Sequence, residues 1–213
     1  MVLKLYGHAH TICTRRVAVV IKELDIPYEF VRVDFLNGET RDPEFLEKQP
    51  FGQLPYIDDG GFILFESRAI ARYLVKKYTL KGSPSLIPSK PKEEAIFEQA
   101  ASIETTNFEP HAMGISLEKF YNPMCGTPTN EARLLEHAAL LDAKMGAYES
   151  ILSRHQYLAG DSITLADLFH LPFGKAVVDA GFGDIFEKRP NLGRWWIDVS
   201  TRPSWLAVKD GSY

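Results

Sequence analysis

Residues 2–35 read VLKLYGHAHTICTRRVAVVIKELDIPYEFVRVDF. The change of period within this stretch decides the fold. Val2 to Tyr6 alternates apolar and polar residues and then reaches Gly7, the pattern of a strand and its exit. Val17, Val20, Ile21 and Leu24 recur at helical spacing, which predicts a helix over about Ile12 to Leu24. Pro27 ends that element, and Tyr28 to Phe35 reads as a second strand.

Working outward, Pro43 to Lys48 reads as a short helix. Leu54 to Ile57 and Phe62 to Phe65 read as two short strands. Asp58, Asp59, Gly60 and Gly61 between them form a turn, so the pair is a hairpin. Ile70, Tyr73, Leu74 and Tyr78 mark an amphipathic helix. The order is βαβ, short helix, ββα. Lys81 to Lys92 contains Gly82, Pro84, Pro88 and Pro91, a density that stops regular structure. Beyond it strand signals almost vanish. Leu134, Ala138, Leu141, Met145, Tyr148 and Leu152 form one helical stripe, and Ile96, Ala100 and Ile103 begin another. The reading is an α/β domain over 1–80, a linker over 81–92 and an all-α bundle over 93–213. Within the bundle, Thr164 and Asp167 are spaced as a capping box, with Ile163 and Leu168 placed as its hydrophobic staple.

Charge and composition remove several function classes. The chain has 24 basic against 28 acidic residues, a net charge of −4, so it lacks the basic footprint of a nucleic-acid binder. Cys13 and Cys125 are too few for a secreted disulfide framework and read as free thiols. The longest run of large apolar residues, Val17 to Ile21, is far shorter than a membrane span. The start, MVLKLYG, lacks the apolar core and cleavage site of a signal peptide, and the end carries no retention or prenylation signal. These features predict a cytoplasmic protein.

Three segments can carry chemistry. Tyr6 to Val17 runs from a strand end into a helix start, where unpaired N–H groups favour anions. The hydroxyls of Thr11 and Thr14, the Cys13 thiol and the charges of Arg15 and Arg16 cluster there, although Thr11 could simply cap the helix. In Phe51-Gly-Gln-Leu-Pro55, a cis Leu54–Pro55 bond would turn the Leu54 backbone outward to pair with an extended peptide; otherwise this is an ordinary edge strand. At Glu66-Ser67-Arg68, Ser67 on a helix N-terminus could hold a carboxylate and Glu66 an ammonium, which together read an α-amino acid head group. The competing reading is an N-cap beside a surface ion pair. His8 and His10 supply two metal-ligand types without a third, so no metal is expected.

Together these segments resemble the glutathione transferase family. PFGQLP followed by FESRAIARYL, then YLAGDSITLADL, covers both halves of the chain, and YGHAHTICTRRV with NLGRWWIDVSTRPSW is most similar to the phi class of plants and some fungi. The resemblance implies a thioredoxin-like N-terminal domain and a helical second domain that contributes the electrophile pocket. Glutathione is the implied co-substrate. Thr11 falls where phi-class enzymes usually carry a catalytic serine, whose hydroxyl donates to the glutathione sulfur. Gln53 and Leu54 match the positions holding the cysteinyl part, Glu66 and Ser67 those holding the γ-glutamyl head, and Thr40 and Arg41 those facing the glycyl carboxylate. Thr40 stands where histidine or glutamine is frequent. His8, His10 and Ile12, with Phe108, Ile115, Phe120 and Phe173, are the implied electrophile-pocket lining. Phe51 is the implied plug of a homodimer. The implied activity is conjugation of glutathione to hydrophobic electrophiles, with reduction of organic hydroperoxides beside it. A non-catalytic carrier of hydrophobic ligands and a Cys13-based thiol transferase are the alternatives.

Overall fold

The computed structural model describes residues 2–80, 85–211 and 213. The chain divides into two compact units, residues 1–85 with 202–213, and residues 86–201.

The first unit begins with β1 (Leu3–Gly7), α1 (Ile12–Glu23) and β2 (Tyr28–Arg32). After two 3₁₀ turns come α2 (Pro43–Leu46), β3 (Tyr56–Asp59), β4 (Phe62–Phe65) and α3 (Ser67–Tyr78). The sheet order is β2-β1-β3-β4. β1 runs parallel to β2 and antiparallel to β3, and β3 pairs antiparallel with β4. Asp59 pairs with Phe62, leaving Gly60 and Gly61, both at positive φ, as the hairpin turn.

Val17 to Ile21 in α1 are all fully buried. Four of these five residues are β-branched and intrinsically indifferent to helix, so burial holds α1 more than propensity does. Strand β2 stops at Arg32 rather than reaching Phe35. The reason is local: the Asp34 carboxylate accepts the Asn37 N–H, and Phe35–Asn37 closes as a 3₁₀ turn. Strand β3 begins two residues later than Leu54, since Tyr56 is the first residue paired with β1; the Leu54–Pro55 bond before it is cis.

The second unit is helical. α4 (Pro91–Ile103), α5 (Glu109–Ser116) and α6 (Asn122–Met124) form one continuous run joined by π turns at Glu104–Phe108 and Leu117–Tyr121. α7 (Glu131–Leu152), α8 (Leu165–Phe169), α9 (Leu171–Val177), α10 (Asp184–Glu187) and α11 (Pro190–Ser200) follow. The six residues of the α7 stripe are its buried residues. On α4 the stripe is displaced: Ile96 is exposed and Phe97, Ala100 and Ala101 face the core. Residues 81–84 of the expected linker lie outside the described residues. Its second half is packed, since Leu86 and Ile87 are buried and the Leu165 N–H donates to the Leu86 carbonyl at 3.0 Å.

The closing residues depart from the expected boundary at 213. α12 (Pro203–Leu206) belongs to the first unit, where Arg202 and Ser204 both bond the Glu23 carboxylate at the end of α1.

Candidate active site on the first unit

β1 delivers the chain to Gly7, and α1 starts five residues later. A Cβ on Gly7 would lie 2.5 Å from Thr14 Cγ2, so only glycine lets the first turn of α1 approach the strand end this closely. Thr11 is the N-cap, in extended conformation, and its side chain makes no capping bond to the helix. Its hydroxyl donates instead to the His8 carbonyl at 2.9 Å and also contacts the Thr14 hydroxyl. Among the described residues, the N–H groups of Ile12, Cys13 and Thr14 have no partner in the chain. The result is a helix N-terminus with open donors beside a half-buried hydroxyl, which suits a thiolate or carboxylate.

Arg16 is fully buried one turn further on. Its Nη1 donates to Ser67 Oγ at 3.0 Å and to Cys13 Sγ at 3.6 Å. Ser67 is the first residue of α3, so a buried charge joins the two helix starts that the sequence singled out separately. Because Ser67 Oγ accepts from Arg16, its own hydrogen is free to donate to an anion. Glu66, the residue before it, is exposed and held at φ 70, ψ 105. A non-glycine residue in that region is strained, and such residues collect at ligand sites.

The strand-opening turn lies in the same unit. Among the described residues, the Leu54 N–H and C=O are unpartnered, as strand addition requires. Gln53 is exposed. The turn is set by a residue the sequence reading missed: buried Gln49, whose Oε1 accepts the Phe51 N–H at 2.7 Å and whose carbonyl accepts the Gly52 N–H at 3.0 Å. Its place just before Pro50-Phe51-Gly52 was the available signal. Thr40 and Arg41 separate by environment. Arg41 is exposed, whereas Thr40 is only 8% exposed and its carbonyl packs behind Gly52.

Several residues expected to line an electrophile pocket belong to the core instead. His8 is buried; its Nδ1 accepts the His10 N–H at 3.2 Å and its ring meets Phe35 edge-on. Burial, with the charges of His10 and Arg32, lowers its pKa and keeps the imidazole neutral. Phe108 and Ile115 are fully buried and Phe173 nearly so, because they sit on the inner face of the helical unit. Apolar spacing alone does not distinguish these two roles. Exposed His10, half-buried Ile12 and 40%-exposed Phe120 remain accessible. Phe120 belongs to an exposed apolar stripe with Met113, Leu117, Tyr121 and Met124. Phe51 is 68% exposed.

A depression of about 430 Å³ at the end of α7 does not compete as a site. Its Arg194 is spent on the carbonyls of Leu152, His155 and Gln156. Among the described residues, no group of three or more His, Cys, Asp or Glu is placed to hold a metal, and no helix is long and apolar enough to cross a membrane.

Residues 1–76 match the glutathione S-transferase N-terminal domain family and residues 110–203 its C-terminal domain family. Glutathione S-transferase PM239X14 of Arabidopsis thaliana is 44% identical over 197 residues, spanning 91% of this chain and 89% of the relative. The crystal structure of glutathione transferase F7 from Populus trichocarpa superposes with a TM-score of 0.93 at 34% identity, covering 100% of both chains. A maize glutathione S-transferase I, solved with an atrazine glutathione conjugate, reaches a TM-score of 0.90 at 29% identity over 100% of this chain and 98% of that one.

Proposed function

We propose a mechanism for this chain as a member of the glutathione S-transferase family, to which it belongs, with plant F-type (phi-class) enzymes among its relatives. Glutathione is the co-substrate. The tripeptide lies along the first unit. Its cysteinyl backbone pairs with the Leu54 N–H and C=O, with Gln53 alongside. Ser67, backed by Arg16, holds the γ-glutamyl carboxylate, and Glu66 takes the ammonium. Arg41 supplies the charge for the glycyl carboxylate, while Thr40 shapes the wall through its backbone.

The sulfur then sits at the start of α1. Thr11 turns its hydroxyl hydrogen from the His8 carbonyl to the sulfur, and the open N–H groups of the helix start add positive potential. A reference thiol titrates at about 8.5, so the first unit by which its pKa falls raises the thiolate fraction about eightfold at pH 7. The thiolate attacks a soft electrophilic carbon: the C–S bond forms, the leaving group departs with its electron pair, and the thiol proton has already passed to solvent. With an organic hydroperoxide the sulfur attacks the outer oxygen, the O–O bond breaks, and a second glutathione displaces hydroxide from the sulfenic acid to give disulfide and water.

The observation that carries this mechanism is the uncapped start of α1, where the Thr11 side chain makes no bond to the helix N–H groups. Thr11→Val keeps the shape and removes the donor. Its conjugation rate should fall by about tenfold or more, as expected for loss of a hydrogen bond to a charged group. A rate equal to wild type would dismiss the assigned role.

The helical unit carries an exposed apolar stripe containing Phe120, a surface whose chemistry suits hydrophobic electrophiles. The atrazine conjugate carried by the maize relative is an electrophile product of this kind. The protein is placed in the cytoplasm, which its two free cysteines suit. It is also read as a homodimer in which Phe51 inserts into the partner. An aromatic ring so exposed favours this reading. Phe51→Ser should shift sedimentation toward monomer, and an unchanged sedimentation coefficient would count against the plug.

A further inference from the structure

We propose that Thr14 is a positioning residue for the reaction: it donates to Thr11 and thereby fixes Thr11 as the donor to sulfur. The inference rests on the reading of Thr11 given above and adds to it the Thr14 hydroxyl, which that reading does not use.

Thr14 is fully buried in the first turn of α1, pressed against Gly7. That contact and its branched Cβ leave the side chain little rotamer freedom. Its Oγ1 accepts the His8 N–H at 3.4 Å and meets the Thr11 hydroxyl in a short contact. Each hydroxyl has one hydrogen to give. The Thr11 oxygen lies 2.9 Å from the His8 carbonyl, which has no hydrogen to offer. The arrangement that satisfies all of these groups therefore has Thr11 donating to His8 O and Thr14 donating to Thr11.

Bringing a thiolate to the site changes one bond in this set. Thr11 swings its hydrogen from the carbonyl to the sulfur, and everything behind it already points the right way. The chain becomes His8 N–H to Thr14 O–H to Thr11 O–H to sulfur. Donors aligned head to tail polarise one another, so Thr11 donates more strongly than an isolated hydroxyl would. The bond from Thr14 also occupies one lone pair of Thr11 and holds its oxygen beside the helix start. Thr14 never touches glutathione in this account; it acts through Thr11.

The test is ultraviolet titration of the glutathione thiolate in the complex, for wild type, Thr11→Val, Thr14→Val and Thr14→Ser. Thr14→Val should raise the thiol pKa enough to cut the thiolate fraction about threefold. The kcat for conjugation should fall by a similar factor while KM for glutathione holds. Thr14→Ser keeps the hydroxyl and should restore both values, which a purely structural role for the methyl group would not. Should valine disturb the packing at Gly7, Thr14→Ala removes the same hydroxyl without crowding and must show the same shift. If Thr14→Val and Thr14→Ala titrate as wild type while Thr11→Val is raised, Thr14 has no such role and the reading of Thr11 stands. If Thr11→Val also titrates as wild type, the reading of Thr11 fails and the proposal with it.

Discussion

Two helices in this chain begin with threonine, and they treat the start of the helix in opposite ways. At α8 the end is closed. Asp167 reaches back so that its Oδ2 accepts the Thr164 N–H at 2.9 Å and the Thr164 hydroxyl at 3.0 Å, while Oδ1 accepts the Leu158 N–H and the Trp195 indole. The first helical N–H, on Leu165, goes to the Leu86 carbonyl. At α1 the end is open. Thr11 bonds backward to His8, and the first three N–H groups wait for a partner. One threonine completes a fold, and the other leaves a helix end incomplete in the way an anionic sulfur can complete it. The difference follows from the fourth residue of each motif: a carboxylate, Asp167, in one and a second hydroxyl, Thr14, in the other.

The largest effect expected from breaking this contrast is at the closed end. Burial pushes the pKa of Asp167 up, and the hydrogen bonds its carboxyl group receives from Leu158, Thr164 and Trp195 oppose that shift. Asp167→Ala strands two backbone N–H groups and an indole N–H in the core, at a cost of about 3 kcal/mol or more. Calorimetry should show a melting temperature lower by roughly 10 °C, with glutathione affinity unchanged in the folded protein. A melting temperature equal to wild type would show that the cap carries no weight.

A smaller effect separates the ends by pH. His8, beside the open end, is held neutral by burial and by the nearby charges of His10 and Arg32. The unfolded chain takes up a proton on this residue as pH falls through 6.5, whereas the folded chain resists until its lowered value is reached. Stability from His8 is therefore full above 6.5 and is lost as pH falls below it. Half-buried His111, lowered first by burial and then by His137 and Lys144, contributes in the same direction. Melting temperatures between pH 7.5 and 5.5 should fall on acidification, and His8→Asn should flatten part of that fall. Parallel curves for the two proteins would remove His8 from the account.

Much of this was legible in the sequence because it is local. The β1–α1 unit, the Asp59–Phe62 hairpin, α3 and the Thr164–Asp167 box are written in short-range periods and turn residues. Conditions that depend on distant partners were not legible. Arg16 was legible as a charge in the cluster at the α1 start, but its burial and its bond to Ser67, 51 residues away, were not. Arg15, read alongside it, clamps the Ala9 carbonyl through Nε and Nη2. Phe108, Ile115 and Phe173 are placed at a pocket by the resemblance alone, while their apolar character fits core as well, and they are buried. The return of residues 202–213 to the first unit depends on Glu23, nearly the whole chain away.

The central claim is that the open start of α1, with Thr11, lowers the pKa of bound glutathione. The most direct measurement is the ultraviolet titration of the thiol in the wild-type complex against free glutathione, repeated for Thr11→Val. The account predicts a midpoint below that of the free thiol in wild type and a return of about one unit or more toward it in the variant. A wild-type complex that titrates like free glutathione, or a Thr11→Val complex that titrates like wild type, would contradict it.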